Sequence, residues 1–419
     1  MARYRRVTKE KTLDSTIDLI REGYLFIKNR VEQHQSNYFE TRLMGQKTVC
    51  MSGEEAARLF YNPELFQRQG AIPGRIQKTA FGVGAIQTLD GEEHLHRKRL
   101  FTSLLMAPVK QKYLADLAME GWLSLIIRWE AAERIVLLNE AKDLLCRIAC
   151  QWAGVPLTEG EISQRADDFS IMINTFGAVG PRYWKARAVR IRTEMWLREL
   201  VENARAGTME VDQESALYAM ARHRDFNGNL LDARTAAIEL INFIRPMIAI
   251  SNFITFSALA LCEHPRCKEQ LISGNNWELE AFAQEVRRYY PFAPFLGARV
   301  RKDFVWNGYE FQEGMLVLLD IYGTNHDPQL WEDPDEFQPG RFKSRKNRQF
   351  DFIPQGGGDP TQGHRCPGEG ITVEIIKTSA DFLVNHIRYQ VPKQDLSYSR
   401  VRIPTWPASG FIMKNIRSK

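Results

Sequence analysis

The sequence Gln355-Gly-Gly-Gly-Asp-Pro-Thr-Gln-Gly-His-Arg-Cys366-Pro-Gly-Glu-Gly370 places one cysteine in a glycine-rich loop, directly before an apolar segment with helical patterning. Glycines let a backbone come close to a flat cofactor and turn its amides toward a sulfur. The positive end of a following helix favours the ionised form of a cysteine. The loop is therefore suited to presenting the Cys366 thiolate to the iron of a haem, and an ordinary loop cysteine is the alternative.

The residues around Cys366 resemble the haem-binding loop of the cytochromes P450. The matching positions are Gly363, His364 and Gly368. The usual loop has a Phe seven residues before the cysteine, where this chain has Asp359. The glycine run at 356–358 instead resembles one subgroup, the fatty-acid peroxygenases. This resemblance implies a mainly α fold with a smaller β region, the cytochrome P450 fold, and a haem b ligated by Cys366.

Length and composition are those of a globular protein with room for a buried cofactor: 419 residues, 44% hydrophobic and 26% charged. The net charge of +5 is modest and spread along the chain apart from a basic start at residues 3–6, so nucleic-acid binding is disfavoured. The N-terminal residues lack the apolar core of a signal peptide, which favours a cytoplasmic protein. Without internal repeats or a flexible linker, we expect a single domain over residues 1–419.

Six cysteines in a chain of this length give no disulfide framework, which fits a reducing compartment. Two of them, Cys146 and Cys150, stand one helical turn apart in an apolar stretch. Their spacing predicts buried free thiols, with zinc ligation as the alternative.

The hydrophobic pattern is mostly helical between residues 92 and 290. Apolar residues recur at intervals of three and four in segments 114–129, 137–152 and 195–206. A further helix is predicted over 371–387, directly after the cysteine loop.

Strand patterns lie outside this helical region. Residues 37–52 alternate around Gly45 like a hairpin, and residues 52–55 have the form of a capping box that opens a helix. Residues 304–311 predict a second hairpin with an Asn-Gly turn, followed by an apolar strand over 315–321.

Glu285 and Arg288 have the Glu-x-x-Arg spacing of the P450 family, one turn apart on a helix. A pair of this kind in isolation would be a solvated surface contact. The segments 325–328 and 333–342 follow at a distance familiar from the family. The resemblance implies that Arg341 completes a buried cluster with this pair and braces the cysteine loop.

Residues 90–101 are similar to the family's His-x-x-x-Arg helix, which holds the haem propionates. His94 matches the histidine, and Lys98 stands where the arginine is usual. The resemblance implies that both contact the cofactor, together with His364. The alternative is a basic helix face exposed to solvent.

The most hydrophobic stretch, residues 238–261, is interrupted by polar residues and by Arg245-Pro246, which favours a core helix over a membrane span. A proline inside a helix removes one amide donor. An arginine left unpaired in an apolar core costs several kcal/mol, so Arg245 requires an anion. Glu239, six residues away, lies on a different helix face and is a poor partner. An acid elsewhere in the chain or a haem propionate is the alternative partner.

Most cytochromes P450 carry an acid followed by Thr at this point of the helix, and Arg245-Pro246 in its place resembles the fatty-acid peroxygenases. The resemblance implies that Arg245 binds the carboxylate of a long-chain fatty acid. That carboxylate would act as general acid and base on hydrogen peroxide, so that no redox partner is required. The implied products are 2- or 3-hydroxy fatty acids, with the 3-hydroxy product favoured and terminal alkenes as minor products.

Three more positions match this subgroup. Gln87 stands where strongly decarboxylating members carry His, and Phe81 and Phe292 stand where the subgroup lines its pocket. A loop hydrogen bond for Gln87 and ordinary core packing for the two aromatic rings are the alternatives. For the whole chain, the competing hypotheses are a P450 monooxygenase supplied by a redox partner and a haem-thiolate sensor without turnover.

Overall fold

The computed structural model describes residues 8–10, 12–175, 177–273, 275–343, 345 and 349–419. The basic segment at 3–6 lies outside them. Helices account for 55% of the structure and strands for 12%, which confirms the mainly α prediction.

The described residues form helices along the whole chain. They are α1 (Thr16–Glu22), α2 (Phe26–His34), α3 (Glu54–Phe60), α4 (Gly74–Ile76), α5 (Gly91–Leu105), α6 (Pro108–Ala131), α7 (Leu137–Ala153), α8 (Ile162–Ile173), α9 (Pro181–Ala206), α10 (Ala216–Arg222), α11 (Ala233–Glu263), α12 (Pro265–Ser273), α13 (Asn276–Tyr289), α14 (Ile321–Asn325) and α15 (Glu369–Asp381). The three segments with clear helical periodicity fall within α6, α7 and α9, as predicted.

The strands form three sheets. They are β1 (Thr8–Lys9), β2 (Tyr38–Leu43), β3 (Gln46–Met51), β4 (Phe66–Gln67), β5 (Arg134–Val136), β6 (Phe295–Val300), β7 (Phe304–Trp306), β8 (Tyr309–Phe311), β9 (Leu316–Asp320), β10 (Ile387–Gln390) and β11 (Ile412–Ser418). The largest sheet has the order β1-β2-β3-β9-β6-β4, in which β3 and β9 are parallel and β9 and β6 antiparallel. The other two are β10-β11-β5 and the pair β7-β8.

Both predicted hairpins are present. Strands β2 and β3 pair antiparallel around Met44 and Gly45, and β7 and β8 pair around Asn307 and Gly308. Asn307 has φ 49° and Gly308 has φ 76°. Positive φ at both central residues is the backbone that an Asn-Gly turn adopts most easily, and its twist suits paired strands.

The capping box predicted at residues 52–55 is wrong. Helix α3 begins after Gly53 and has no side-chain cap. The Ser52 hydroxyl lies beside Asp320 and Thr324 of another part of the chain, and the Thr324 hydroxyl accepts the Gly53 N–H at 3.0 Å. A long-range partner has replaced the local cap.

Helix α11 is the central element, and α7, α9 and α15 pack against it. By length and composition α11 could cross a membrane, yet 94% of its most apolar window is buried within the protein. The prediction of a core helix is confirmed. Cys146 and Cys150 on α7 are buried and free, as predicted.

The helix after the cysteine loop is shorter than predicted. Helix α15 ends at Asp381, a π-helical turn covers Phe382–His386, and Ile387 already belongs to β10. The apolar pattern continues through this junction because both the helix end and the strand pack into the same core.

Candidate active site

Cys366 lies in the loop that leads into α15. Its backbone N–H donates to the carbonyl oxygen of Gln355 at 3.0 Å, which closes the loop on itself. Burial raises the pKa of the Cys366 thiol, while the Gly368 N–H and the positive charge of Lys98 act in the opposite direction. Iron ligation requires the deprotonated sulfur, and these two neighbours favour that form.

His94 on α5 and His364 in the cysteine loop stack on each other, with ring centroids 4.0 Å apart. The His364 Nε2 lies 3.5 Å from Asp90 Oδ1. Burial lowers the pKa of His94 to about 3 and that of His364 to about 4. Both rings are therefore neutral at neutral pH and offer N–H donors, not charges, to an anion.

Lys98 also lies beside the cysteine loop. Its ammonium group donates to the carbonyl oxygen of Arg365 at 2.6 Å, one residue before the cysteine. Burial lowers the pKa of Lys98 to about 8. His94 and Lys98 thus share one face of α5, as their spacing of four residues predicts, and that face is buried against the loop.

Arg68 is a buried cation of this site that the motif comparison did not identify. Its guanidinium lies over the rings of Phe60 and Tyr61, at 4.1 and 5.2 Å from their centroids. Burial lowers its pKa, and its charge lowers the pKa of both stacked histidines. Arg68 follows β4 in a segment without a recognisable motif, so only the fold brings it here.

These side chains fit the carboxylate edge of a haem. Arg68 and Lys98 are buried cations, and the nearby Asp90 already accepts the backbone N–H groups of Arg68 and Gln69 at 2.8–2.9 Å. Two propionates would balance this positive charge, and His94 would add an N–H donor. A haem placed so would present its iron to Cys366.

The cluster of Glu285, Arg288 and Arg341 is formed as predicted. Arg288 donates to both oxygens of Glu285 at 2.7 and 2.8 Å, and Arg341 Nε lies 3.3 Å from Glu285 Oε1. Glu285 and Arg288 are fully buried, which excludes the solvated surface pair. Arg288 also donates to the carbonyl of Asn325, whose side chain accepts the Ile353 N–H at the start of the cysteine loop. The cluster thereby fixes the position of this loop.

Arg245 on α11 is only 6% exposed. Within the described residues, no carboxylate oxygen lies within 4 Å of its guanidinium, and its Nε has no hydrogen-bond partner. Its guanidinium makes a long hydrogen bond, 3.5 Å from Nη2 to Asn242 Oδ1, and lies 5.3 Å from the centroid of the Phe81 ring. Burial and the charge of Arg190 lower the pKa of Arg245 to about 9.

Glu239 is not the partner of Arg245, as expected. It is completely buried and forms an ion pair with Arg97 at 3.0 Å, and it accepts the Ile86 N–H at 2.8 Å. The Asn242 amide donates to Glu239 at 3.0 Å and turns its oxygen toward Arg245. Asn242 is a second site residue that the sequence did not reveal.

Pro246 lies inside α11, which continues through it to Glu263. Between Ala236 and Leu261 every other residue is buried, whereas Pro246 is exposed. The core helix therefore has accessible surface at Pro246. Arg245, the residue before it, is buried and contributes a positive charge at this point of the helix.

The remaining predicted residues surround the same region. Gln87 lies in a short 3-10 turn beside Ile86, and its Oε1 is buried without a hydrogen-bond partner. Phe81 faces the Arg245 guanidinium, and Phe292 stacks on Phe253 of α11 with centroids 4.7 Å apart. The structure thus brings Gln87, Phe81 and Phe292 to the helix that carries Arg245.

Comparison with known proteins agrees with this geometry. The family model for cytochrome P450 matches residues 279–396, which include the Glu285 cluster and the cysteine loop. Taxane 10-beta-hydroxylase of Taxus cuspidata is 24% identical over 93% of this chain and 84% of its own length.

Two solved structures are more similar. Cytochrome P450EX alpha (CYP152N1) with myristic acid is 42% identical, covers 99% of this chain and 100% of its own, and superposes with a TM-score of 0.95. A variant of cytochrome P450 OleT with arachidonic acid is 38% identical over 99% of both chains, with a TM-score of 0.96. With its glycine-rich cysteine loop, its cationic cofactor edge and this likeness over the full chain, the protein belongs to the cytochrome P450 family, as a haem-thiolate oxidoreductase of its fatty-acid peroxygenase group.

Proposed function

We propose that this enzyme uses hydrogen peroxide to hydroxylate long-chain fatty acids at C2 or C3. The 3-hydroxy acid is the favoured product, and decarboxylation to a terminal alkene is minor. The similar solved structures that contain myristic and arachidonic acid support a long-chain substrate.

One observation carries the proposal. Arg245 is a buried cation without a carboxylate partner among the described residues, next to Pro246, where the core helix has accessible surface. A buried unpaired charge costs several kcal/mol, and an anionic ligand would remove that cost. A fatty acid supplies one carboxylate on an apolar chain, which matches one cation among apolar side chains.

A carboxylate bound by Arg245 is also a base held at a fixed position. It is placed to take a proton from one oxygen of hydrogen peroxide and return it to the oxygen that leaves as water. This replaces the acid and Thr that the helix lacks. Hydroxylation consumes one peroxide and one C–H bond, and it yields one alcohol and one water.

Bound haem would supply the oxidising chemistry, and the Cys366 thiolate would ligate its iron. His94, Lys98, His364 and Arg68 would hold its propionates. Because Arg245 fixes the carboxyl group, the carbons next to it are held at one distance from the reacting centre, which favours attack at C2 and C3. Phe81 and Phe292 would contact the acyl chain, Pro246 would form the wall beside the carboxyl group, and the Gln87 carboxamide would lie close to it.

Hydrogen peroxide carries the oxidising equivalents itself, so we propose that no redox partner is needed. We further propose one domain over residues 1–419 and a cytoplasmic location. The burial of α11 supports the proposed cytoplasmic location, since the apolar surface of this helix packs against protein.

The test is Arg245→Ala in the haem-loaded enzyme. Removal of one partner of a buried charge pair costs about 2–5 kcal/mol, so kcat/KM for peroxide-driven hydroxylation should fall about 30-fold or more while haem stays bound. Arg198→Ala is the matched control, since Arg198 lies on the exposed surface of α9, where it pairs with Glu202. Activity near the parent level in Arg245→Ala would refute the carboxylate site. Product that forms only with an added reductase would favour a conventional monooxygenase.

A further inference from the structure

The residue that begins the cysteine loop holds Cys366 in two ways. The Gln355 carbonyl accepts the Cys366 backbone N–H at 3.0 Å. The Gln355 carboxamide Nε2 lies 3.7 Å from the Cys366 sulfur, within reach of an N–H···S hydrogen bond. A side-chain amide beside the sulfur is a separate feature from the backbone N–H of Gly368 on the other side of the cysteine.

The neighbours of Gln355 fix which end of the carboxamide faces the sulfur. Arg287 Nε lies 3.1 Å from Gln355 Oε1, and a guanidinium can only donate. The oxygen must therefore face Arg287. The nitrogen then faces the other way, toward the sulfur and toward Thr372 Oγ1 at 3.1 Å.

Thr372 and Glu369 hold this arrangement from both sides. The Thr372 hydroxyl donates to the Gly368 carbonyl at 3.1 Å, so its lone pair is turned toward the Gln355 amide. Arg287 is 2% exposed and forms an ion pair with Glu369, which also accepts Arg365 Nε at 2.7 Å. If the amide turned over, its oxygen would lose the Arg287 guanidinium and its nitrogen would lose the Thr372 hydroxyl and the Cys366 sulfur.

We propose that Gln355 is a positioning residue whose side-chain N–H donates to the Cys366 thiolate and so weakens the electron donation of that sulfur to iron. A hydrogen bond to a ligating sulfur draws electron density away from the metal, which stabilises the reduced form and raises the reduction potential. Arg287, oriented by Glu369, polarises the amide and strengthens this bond inside a buried environment.

The proposal rests on the proposed ligation of iron by Cys366 and is independent of Arg245. The test compares the reduction potential of the haem-loaded parent with Gln355→Met, which keeps the length of the side chain and removes the N–H donor. We expect the equilibrium constant for reduction to fall about tenfold, a shift of about 59 mV to more negative potential for one electron. A folded, haem-loaded Gln355→Met with an unchanged potential would overturn the proposal.

Thr372→Val separates the sulfur bond from loop packing. This variant removes the second contact of the amide but leaves the N–H that faces the sulfur. The equilibrium constant for reduction should therefore change less than about threefold. An equal shift in both variants would assign the effect to packing and refute the role of the N–H. The red-shifted carbon monoxide band of a thiolate-bound ferrous haem is recorded in parallel, because its absence in the parent would refute Cys366 ligation itself.

If Gln355→Met does not retain haem, neutron diffraction of the unaltered, haem-loaded protein decides the question. Deuterium on Gln355 Nε2 aimed at the Cys366 sulfur supports the proposal. Gln355 Oε1 facing the sulfur overturns it.

Discussion

Glu239 and Arg245 are both buried on helix α11, yet they form no ion pair, because Glu239 is bound to Arg97 and the Asn242 amide lies between the two charges. Three residues separate Asn242 from each of them, so one turn of helix places its amide against both. Glu239 is therefore already paired with Arg97, and Arg245 remains available for a ligand.

Asn242→Asp offers Arg245 an internal carboxylate, whose second oxygen replaces the amide nitrogen that now lies 3.0 Å from Glu239 and would share a proton with that acid. The new carboxylate would stand where the amide oxygen now lies, 3.5 Å from Arg245 Nη2. It competes with the carboxylate of the substrate, so the dissociation constant for a long-chain fatty acid should rise about tenfold or more. Optical titration of the haem band measures this constant. Asn242→Leu serves as the control, since it removes the same hydrogen bonds without adding an anion. Equal affinity for the fatty acid in Asn242→Asp and in the parent would contradict the binding of its carboxylate by Arg245.

The pH dependence of binding follows from the pKa of Arg245. Burial and the charge of Arg190 lower that pKa to about 9, so the ligand-free protein carries the guanidinium charge throughout the neutral range. The fatty acid is a carboxylate in the same range, so its affinity should be constant between about pH 7 and about pH 9 and should fall only where the guanidinium loses its proton at higher pH. Titrations between about pH 7 and about pH 10.5 test this. Arg245→Ala should bind weakly at every pH, and a parent affinity that already falls about tenfold between about pH 7 and about pH 9 would show that a more acidic group than Arg245 binds the carboxylate.

Gln87→His should raise the share of terminal alkene among the products. Gln87 Oε1 is buried without a partner, and an imidazole at this position adds a group that can both donate and accept a proton. Mass spectrometry of the products gives the ratio of alkene to hydroxy acid. Gln87→Leu removes the amide without adding a titratable ring. If it raises the alkene share equally, loss of the amide and not gain of the imidazole is the cause.

Glu285→Gln should destabilise the protein and its haem site together. The substitution leaves the fully buried Arg288 without its charge partner, which costs about 3–5 kcal/mol. Urea unfolding and haem content after purification measure the two effects. Glu332→Gln, an exposed acid near the same cluster, should change the free energy of unfolding by less than about 0.5 kcal/mol. A loss below about 1 kcal/mol in Glu285→Gln would show that the cluster does not support the fold.

The sequence determined those features whose cause is local. The Asn307-Gly308 turn has its required backbone built into two residues, the periodic helices follow from apolar spacing, and the loop around Cys366 is one continuous segment. The geometric relation of Glu239 to Arg245 was also predictable, because it depends only on the pitch of one helix. The motifs at His94, Cys366 and Glu285 identified the family for the same reason.

Only the tertiary structure decided which groups meet across the chain. Ser52 joins Asp320 and Thr324 instead of capping its own helix, and Arg68 reaches the stacked histidines from a loop with no motif. Burial then shifts the pKa of each ionisable side chain, because distant segments exclude water from it. The same exclusion of water decides whether a charged side chain requires an ion-pair partner. Two relationships follow from packing that no local pattern encodes: Arg245 has no carboxylate partner among the described residues, and Gln355 turns its N–H toward Cys366.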